Sequence, residues 1–190
     1  MERNYVTVVS GLPRSGTSLM MQALEAGGMH VLTDGVRKSN QDNPKGYYEF
    51  EPVKKTKENP SWLENATGKA VKMVYRLLYD LVQDYEYRII FMQRKIDEVM
   101  VSQKKMLDRS GQTGGKISDE QLAELFKKEL DKVAQWTKEQ HNFSMVSVNY
   151  KDMVQDPLTQ CRRVNDFLGG DLDVNEMVEV VDPSLYRNRL

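Results

Sequence analysis

Cysteine is almost missing from this chain of 190 residues: there is one, Cys161. A lone thiol excludes an internal disulfide framework and suits a reducing compartment. Histidine is nearly as rare, with only His30 and His141. No apolar run approaches the roughly 20 residues that span a bilayer. The first residues, "MERN", lead into a short strand without an apolar leader segment. A surplus of one charge is missing too: Lys and Arg number 27 against 28 Asp and Glu, a net charge of −1. That balance gives no overall field to draw in nucleic acid or an anionic membrane. The expectation is a cytoplasmic protein, one domain over residues 1–190, with no nucleic acid and no membrane as partner. At this length a folded chain buries roughly 70% of its extended surface, enough for a full core.

What is present is an alternation of strands and helices. "YVTVVS" reads as a buried strand and "TSLMMQALEAGG" as a helix that stops at a glycine pair. The polar, Pro- and Gly-punctuated stretch 35–60 reads as loop. "KAVKMVY", "YRIIFMQR" and "FSMVSVNY" are further strands, and His30 falls on a short strand of its own. Helices are expected over 96–109, 118–141 and 156–170, with a loop or lid over 110–116. Ser118 with Gln121 makes a capping box. Strands that are apolar on both faces and alternate with helices imply an α/β fold: a three-layer parallel sheet flanked by helices. Ligands in such sheets sit at the carboxyl ends of the strands.

The loop after the first strand is "GLPRSGTS". Gly11 and Gly16 have the spacing of a nucleotide-binding phosphate loop, and the context, between strand and helix, is the required one. The lysine is missing: Thr17 holds its place, followed by Ser18, and a cation appears instead at Arg14. No aspartate ends either neighbouring strand, "KMVY" or "FMQR". A phosphoryl-transfer enzyme relies on lysine and Mg²⁺ to neutralise the β- and γ-oxygens. A sulfuryl group carries less charge, and hydroxyls, backbone amides and one cation suffice for it without a metal. The other readings of the loop are a small-molecule kinase site and a nucleotide-binding module without catalysis.

"PRSGTSLM" resembles the 5′-phosphosulfate loop of the P-loop sulfotransferases. These move a sulfuryl group from 3′-phosphoadenosine 5′-phosphosulfate (PAPS) to an acceptor. The form is most similar to that of bacterial and tyrosylprotein-type members. The resemblance implies that Arg14, Ser15, Gly16, Thr17 and Ser18 hold the phosphosulfate. It extends to "RKIDEVMVS", where Arg94 and Ser102 match the pair that holds the 3′-phosphate. Eight steps of a helix leave two residues about 80° apart; it is the resemblance that implies Arg94 at the strand end, reaching over, with Ser102 on the helix. In "NYKDM", Tyr150 matches a residue that contacts the adenine; a core tyrosine is its other reading. The likeness covers residues 5–106 and 143–169 in register.

Departures fall on the acceptor side. No histidine follows Lys72 in "KAVKMVY", where many cytosolic members place their base. His141 ends a helix, where its charge suits the dipole. "NPKGYYEFE" resembles a bacterial segment and makes Glu49 the candidate base, with Glu51 as fallback and an ordinary loop acid as the alternative. Lys72 is either a cation for the transferred group or a strand-edge lysine. The family's late basic loop is absent, and the tail offers Arg187 and Arg189 instead. A small-molecule, glycan or peptide acceptor with a hydroxyl or amine fits the resemblance, with PAPS as co-substrate and no metal.

Overall fold

The computed structural model describes residues 3–36, 46–110 and 118–186. Five strands form one parallel sheet: β1 (Val6–Gly11), β2 (Val31–Leu32), β3 (Ala70–Lys72), β4 (Tyr87–Gln93) and β5 (Phe143–Asn149), in the order β2-β3-β1-β4-β5. The chain leaves β1 in the middle, builds one side, then returns to build the other. That reversal opens a crevice at the carboxyl end of β1. The register sets Lys72 beside Val9 and Met92 beside Gly11, so the ends of β1, β3 and β4 meet at this crevice.

Side chains alternate across the strands with a period of two. Val9, Ile90 and Met92 face α1 (Thr17–Ala26), α5 (Pro157–Leu168) and α6 (Val174–Glu179). Val6, Val8, Ile89 and Phe91 face a second core with Leu63, Leu78 and Val133. Val133 belongs to α3 (Asp119–Glu139). The sheet is thus buried on both faces, which explains the apolar runs. Cys161 lies in the first core, and burial pushes its thiol up to about 11. It is an inert core group at neutral pH.

Local signals landed where the chain's own chemistry decides. Ser118 caps α3, accepting from Gln121 N at 3.2 Å while Gln121 Oε1 accepts from Ser118 N at 3.1 Å. Asp156 Oδ1 accepts from Thr159 N at 3.2 Å, and Pro157 opens α5. Three expectations shift. The strand expected over 69–75 stops at Lys72, because Tyr75–Asp80 closes into a 3-10 turn with Leu78 buried inside. Another 3-10 turn, Glu51–Lys55, stands in the stretch read as loop, buried through Val53. His30 lies just before β2, its carbonyl accepting Ala70 N at 2.8 Å. The lid expected over 110–116 falls, apart from Ser110, outside the described residues. Among the described residues no helix is long and apolar enough to cross a membrane.

Candidate active site

The loop between β1 and α1 cannot be built from ordinary residues. Gly11 has φ +145°, and a Cβ there would stand 2.5 Å from the Met92 carbonyl oxygen. Gly16 has φ +100°, and a Cβ would stand 2.4 Å from Tyr150 Cδ2. Arg14, between them, has φ 70°, a left-handed backbone unusual for a side-chain-bearing residue. Left-handed residues alternating with ordinary ones turn backbone N–H groups into one concavity. Gly16 then starts α1 with no side-chain cap and no acidic residue in the first turn. The partial positive charge of that helix end faces the crevice.

All of the expected site residues except Ser15 line one cavity of about 650 Å³. Ser15 is buried and holds the loop itself, its Oγ donating to the Leu12 carbonyl at 2.7 Å. On the β3 side, Lys72 Nζ donates to Ser18 Oγ at 3.4 Å and to the Tyr47 carbonyl. Ser18 Oγ donates to the same carbonyl at 3.3 Å. The parallel register of β3 with β1 therefore delivers a lysine to the loop from outside it, near where a nucleoside-triphosphatase would carry one within it.

On the β4 side the arginines interlock. Arg14 Nε donates to Ser102 Oγ at 3.0 Å, and Arg94 Nη1 donates to the Arg14 carbonyl at 3.1 Å. Arg94 follows the strand end and Ser102 stands on α2 (Ile96–Ser110), so the two meet through Arg14. The sequence did not reveal what else holds Arg94. Its Nε pairs with Glu98 Oε2 at 2.9 Å, with 8% and 2% of the two side chains exposed. The other Glu98 oxygen accepts from Tyr186 Oη at 2.8 Å. Burial and this bond raise the Tyr186 pKa, so the phenol stays a donor at neutral pH. The guanidinium lies 4.6 Å from the Tyr150 ring and 5.4 Å from the Tyr186 ring. The two rings meet edge to face at 5.2 Å. Tyr150 is the first residue of α4 (Tyr150–Gln155) rather than the last of the strand, with Asn149 as its cap. It is only 7% exposed. It packs under Gly16 and also lines the cavity.

The opposite end is looser. Thr33 Oγ1 and Asp34 N each donate to the Glu49 carbonyl at 3.1 Å, which pins that backbone. Tyr48 turns the chain with φ 52°, and its hydroxyl donates to Glu25 Oε2 at 2.5 Å. Glu49 thereby lines the cavity, whereas Glu51 turns to Lys54 at 2.5 Å with 55% of its side chain exposed. Val74, two residues after Lys72, is 42% exposed and lines the cavity. Neither histidine lines it. Arg187 and Arg189 lie outside the described residues. Among the described residues no group of three or more His, Cys, Asp or Glu is placed to hold a metal ion.

The site can thus hold an extended anion. Arg14 and the loop amides come from the loop, Lys72 from β3 and Arg94 from the end of β4, and the Glu49 carboxylate lines the same cavity. Solved structures share the fold. The sulfotransferase domain of a Synechococcus olefin synthase matches at TM-score 0.59 and 14% identity, over 100% of this chain and 89% of that one. A mouse sulfotransferase complexed with PAP matches at 0.59 and 19%, over 94% of this chain and 64% of that one. A Mycobacterium tuberculosis sulfotransferase matches at 0.64 and 14%, over 94% and 71%. Among curated proteins none matches. The sulfotransferase domain family model matches residues 6–188, and the chain belongs to that family.

Proposed function

We propose that this enzyme transfers a sulfuryl group from PAPS to an acceptor hydroxyl or amine by in-line displacement. The observation that carries the reading is the arginine in the loop. Arg14 takes a backbone conformation of φ 70° and anchors on Ser102, while Arg94 anchors on Arg14. A loop that expects Mg²⁺ and a γ-phosphate has its cation after the second glycine. Here one cation, Arg14, stands inside the loop before the second glycine and another, Lys72, reaches it from β3, which suits a group of lower charge.

In this reading the loop amides and Ser18 bind the 5′-phosphosulfate, Arg94 and Ser102 bind the 3′-phosphate, and Tyr150 bounds the adenine. Glu49 accepts the proton as the acceptor oxygen or nitrogen bonds to sulfur. The bond from sulfur to the bridging phosphate oxygen breaks, and Arg14 and Lys72 stabilise the charge that develops on that oxygen. The acceptor keeps the sulfuryl group and PAP leaves. The mouse relative was solved with PAP, which supports the choice of donor.

Thermal unfolding with PAP and with ATP–Mg²⁺ tests the reading. A ligand that binds only the folded state, at about 100 times its dissociation constant, adds roughly 2.7 kcal/mol. PAP is expected to raise the melting temperature and ATP–Mg²⁺ to leave it nearly unmoved. The reverse pattern would point to a kinase and defeat the proposal.

A further inference from the structure

We propose that Tyr186 is a positioning residue for the 3′-phosphate: acting through Glu98, it holds Arg94 in the pose that grips that group. The proposal rests on the sulfotransfer reading above, which assigns Arg94 to the 3′-phosphate. It extends the nucleotide site from the loop and α2 to the C-terminal segment.

That segment is folded so as to present this residue. Asp182 Oδ1 accepts from Ser184 N at 2.9 Å, and the Asp182 carbonyl accepts from Leu185 N at 3.1 Å. These bonds close the 3-10 turn Pro183–Leu185, and Tyr186 N donates to the Pro183 carbonyl at 3.2 Å. Asp182 and Leu185 line the cavity, while Tyr186 is buried against Tyr150, Val154 and Leu19.

Packing alone would need only the ring. The hydroxyl adds a bond to Glu98 Oε1 at 2.8 Å, across 88 positions of sequence. Glu98 is 1% exposed. A buried carboxylate oxygen without a donor is costly. A carboxylate with both oxygens available takes a guanidinium by both at once. Here Oε2 meets Arg94 Nε at 2.9 Å while Oε1 is engaged by Tyr186. The carboxylate is thereby held at the Nε edge of the guanidinium. The Nη end turns to the loop, where Nη1 donates to the Arg14 carbonyl at 3.1 Å. The Tyr150 and Tyr186 rings, 4.6 and 5.4 Å from the guanidinium carbon, add cation–π contacts that hold it there.

Loss of the hydroxyl alone would release Oε1 to compete for the N–H groups that a phosphate needs. The rings and the ion pair would remain. The effect falls on ligands that carry a 3′-phosphate, because Arg94 is the group disturbed.

The test is calorimetric titration of PAP and of adenosine 5′-monophosphate, which is PAP without its 3′-phosphate. Both go into the unmodified protein and into Tyr186→Phe, with melting curves to report folding. The unmodified protein should prefer PAP by about a hundredfold, the scale of a charged group given its partner. Tyr186→Phe should cut that preference about fivefold, the worth of one modest hydrogen bond, by weakening PAP alone. Tyr48→Phe loses a comparable bond, to Glu25 at 2.5 Å, and should leave the preference as it was. By linkage, saturating PAP should slow amide hydrogen exchange at positions 185 and 186 of the unmodified protein more than saturating monophosphate does.

Equal losses for the two nucleotides in Tyr186→Phe would make Tyr186 a packing residue only and overturn the proposal. An unchanged preference would overturn it too. If Tyr186→Phe does not fold, the exchange measurement on the unmodified protein decides, and equal slowing by both nucleotides defeats the proposal. If PAP binds the unmodified protein no tighter than the monophosphate, or not at all, the donor reading fails and this role for Tyr186 falls with it.

Discussion

At one end of the cavity Arg94 and Glu98 expose 8% and 2% of their side chains; at the other Lys54 and Glu51 expose 56% and 55%. Both are ion pairs of similar length, yet they do different work. The buried pair is tied to Tyr186, Arg14 and two rings, so it fixes a geometry. The exposed pair is screened and contributes little to folding. A donor that never changes is served by a rigid end. The acceptor of the proposed reaction meets an end built on turns, where substitutions cost the fold least.

The largest effect that would sharpen this contrast is Glu49→Gln. It should lower kcat about a thousandfold, within the usual range for loss of a general base, while the PAP dissociation constant stays put. Glu51→Gln should do neither, and steady-state kinetics with PAP titration reads both. If the two variants behave alike, the base lies elsewhere. Next comes Arg94→Gln. PAP binding should weaken about a hundredfold, the worth of a charged partner left without its cation. Adenosine 5′-phosphosulfate, which has no 3′-phosphate, should lose no more than a few-fold. The ratio is the readout, and equal losses break the assignment of Arg94.

Glycine substitutions probe the same contrast more gently. Gly16→Ala must fit a Cβ 2.4 Å from the Tyr150 ring at φ +100°, so the loop has to move. PAP affinity should drop by roughly tenfold or more, from backbone strain of about 1–2 kcal/mol plus displaced amides. Gly46, at the acceptor end, also has a positive φ, +98°, but nothing stands within 4 Å of its would-be Cβ. Gly46→Ala should leave PAP affinity unchanged. The smallest comparison is Glu98→Gln. The amide keeps a shape for Tyr186 and Arg94 but removes the charge. It should weaken PAP several-fold and lower the melting temperature, with the exposed Glu51→Gln as the silent partner.

Sequence reading reached the parts of this site that local chemistry dictates. The glycine spacing of the loop, the capping box at Ser118 and the Asp156-Pro157 helix start each act within a few residues. The run of apolar strands announced a sheet covered on both faces. Glu98 was invisible for a physical reason. In the first turn of a helix an acid is the ordinary complement to the dipole, and Asp97 beside it looks the same. Only tertiary packing against Tyr186, 88 positions away, separates the two. The tail was read for its arginines, which lie outside the described residues, and the bond to Glu98 from the tyrosine before them was not foreseen. The apolar lining of the cavity was equally hidden, since Val53, Leu77 and Met106 belong to three elements with no shared period. The strand at 69–75 was overextended because "KMVY" is as suited to a strand as to the 3-10 turn that buried Leu78 selects.

Glu49, Phe50, Val53 and Lys54 ride on one short segment, pinned to the rest through Asp34 and Thr33. In evolutionary terms the proposed proton acceptor and the cavity-lining residues beside it form a single inheritable cassette. Exchange of that segment between relatives would transplant substrate preference together with the means to act on it. The proposed grip on the donor, anchored in β1, β4 and α2, would pass through such an exchange untouched.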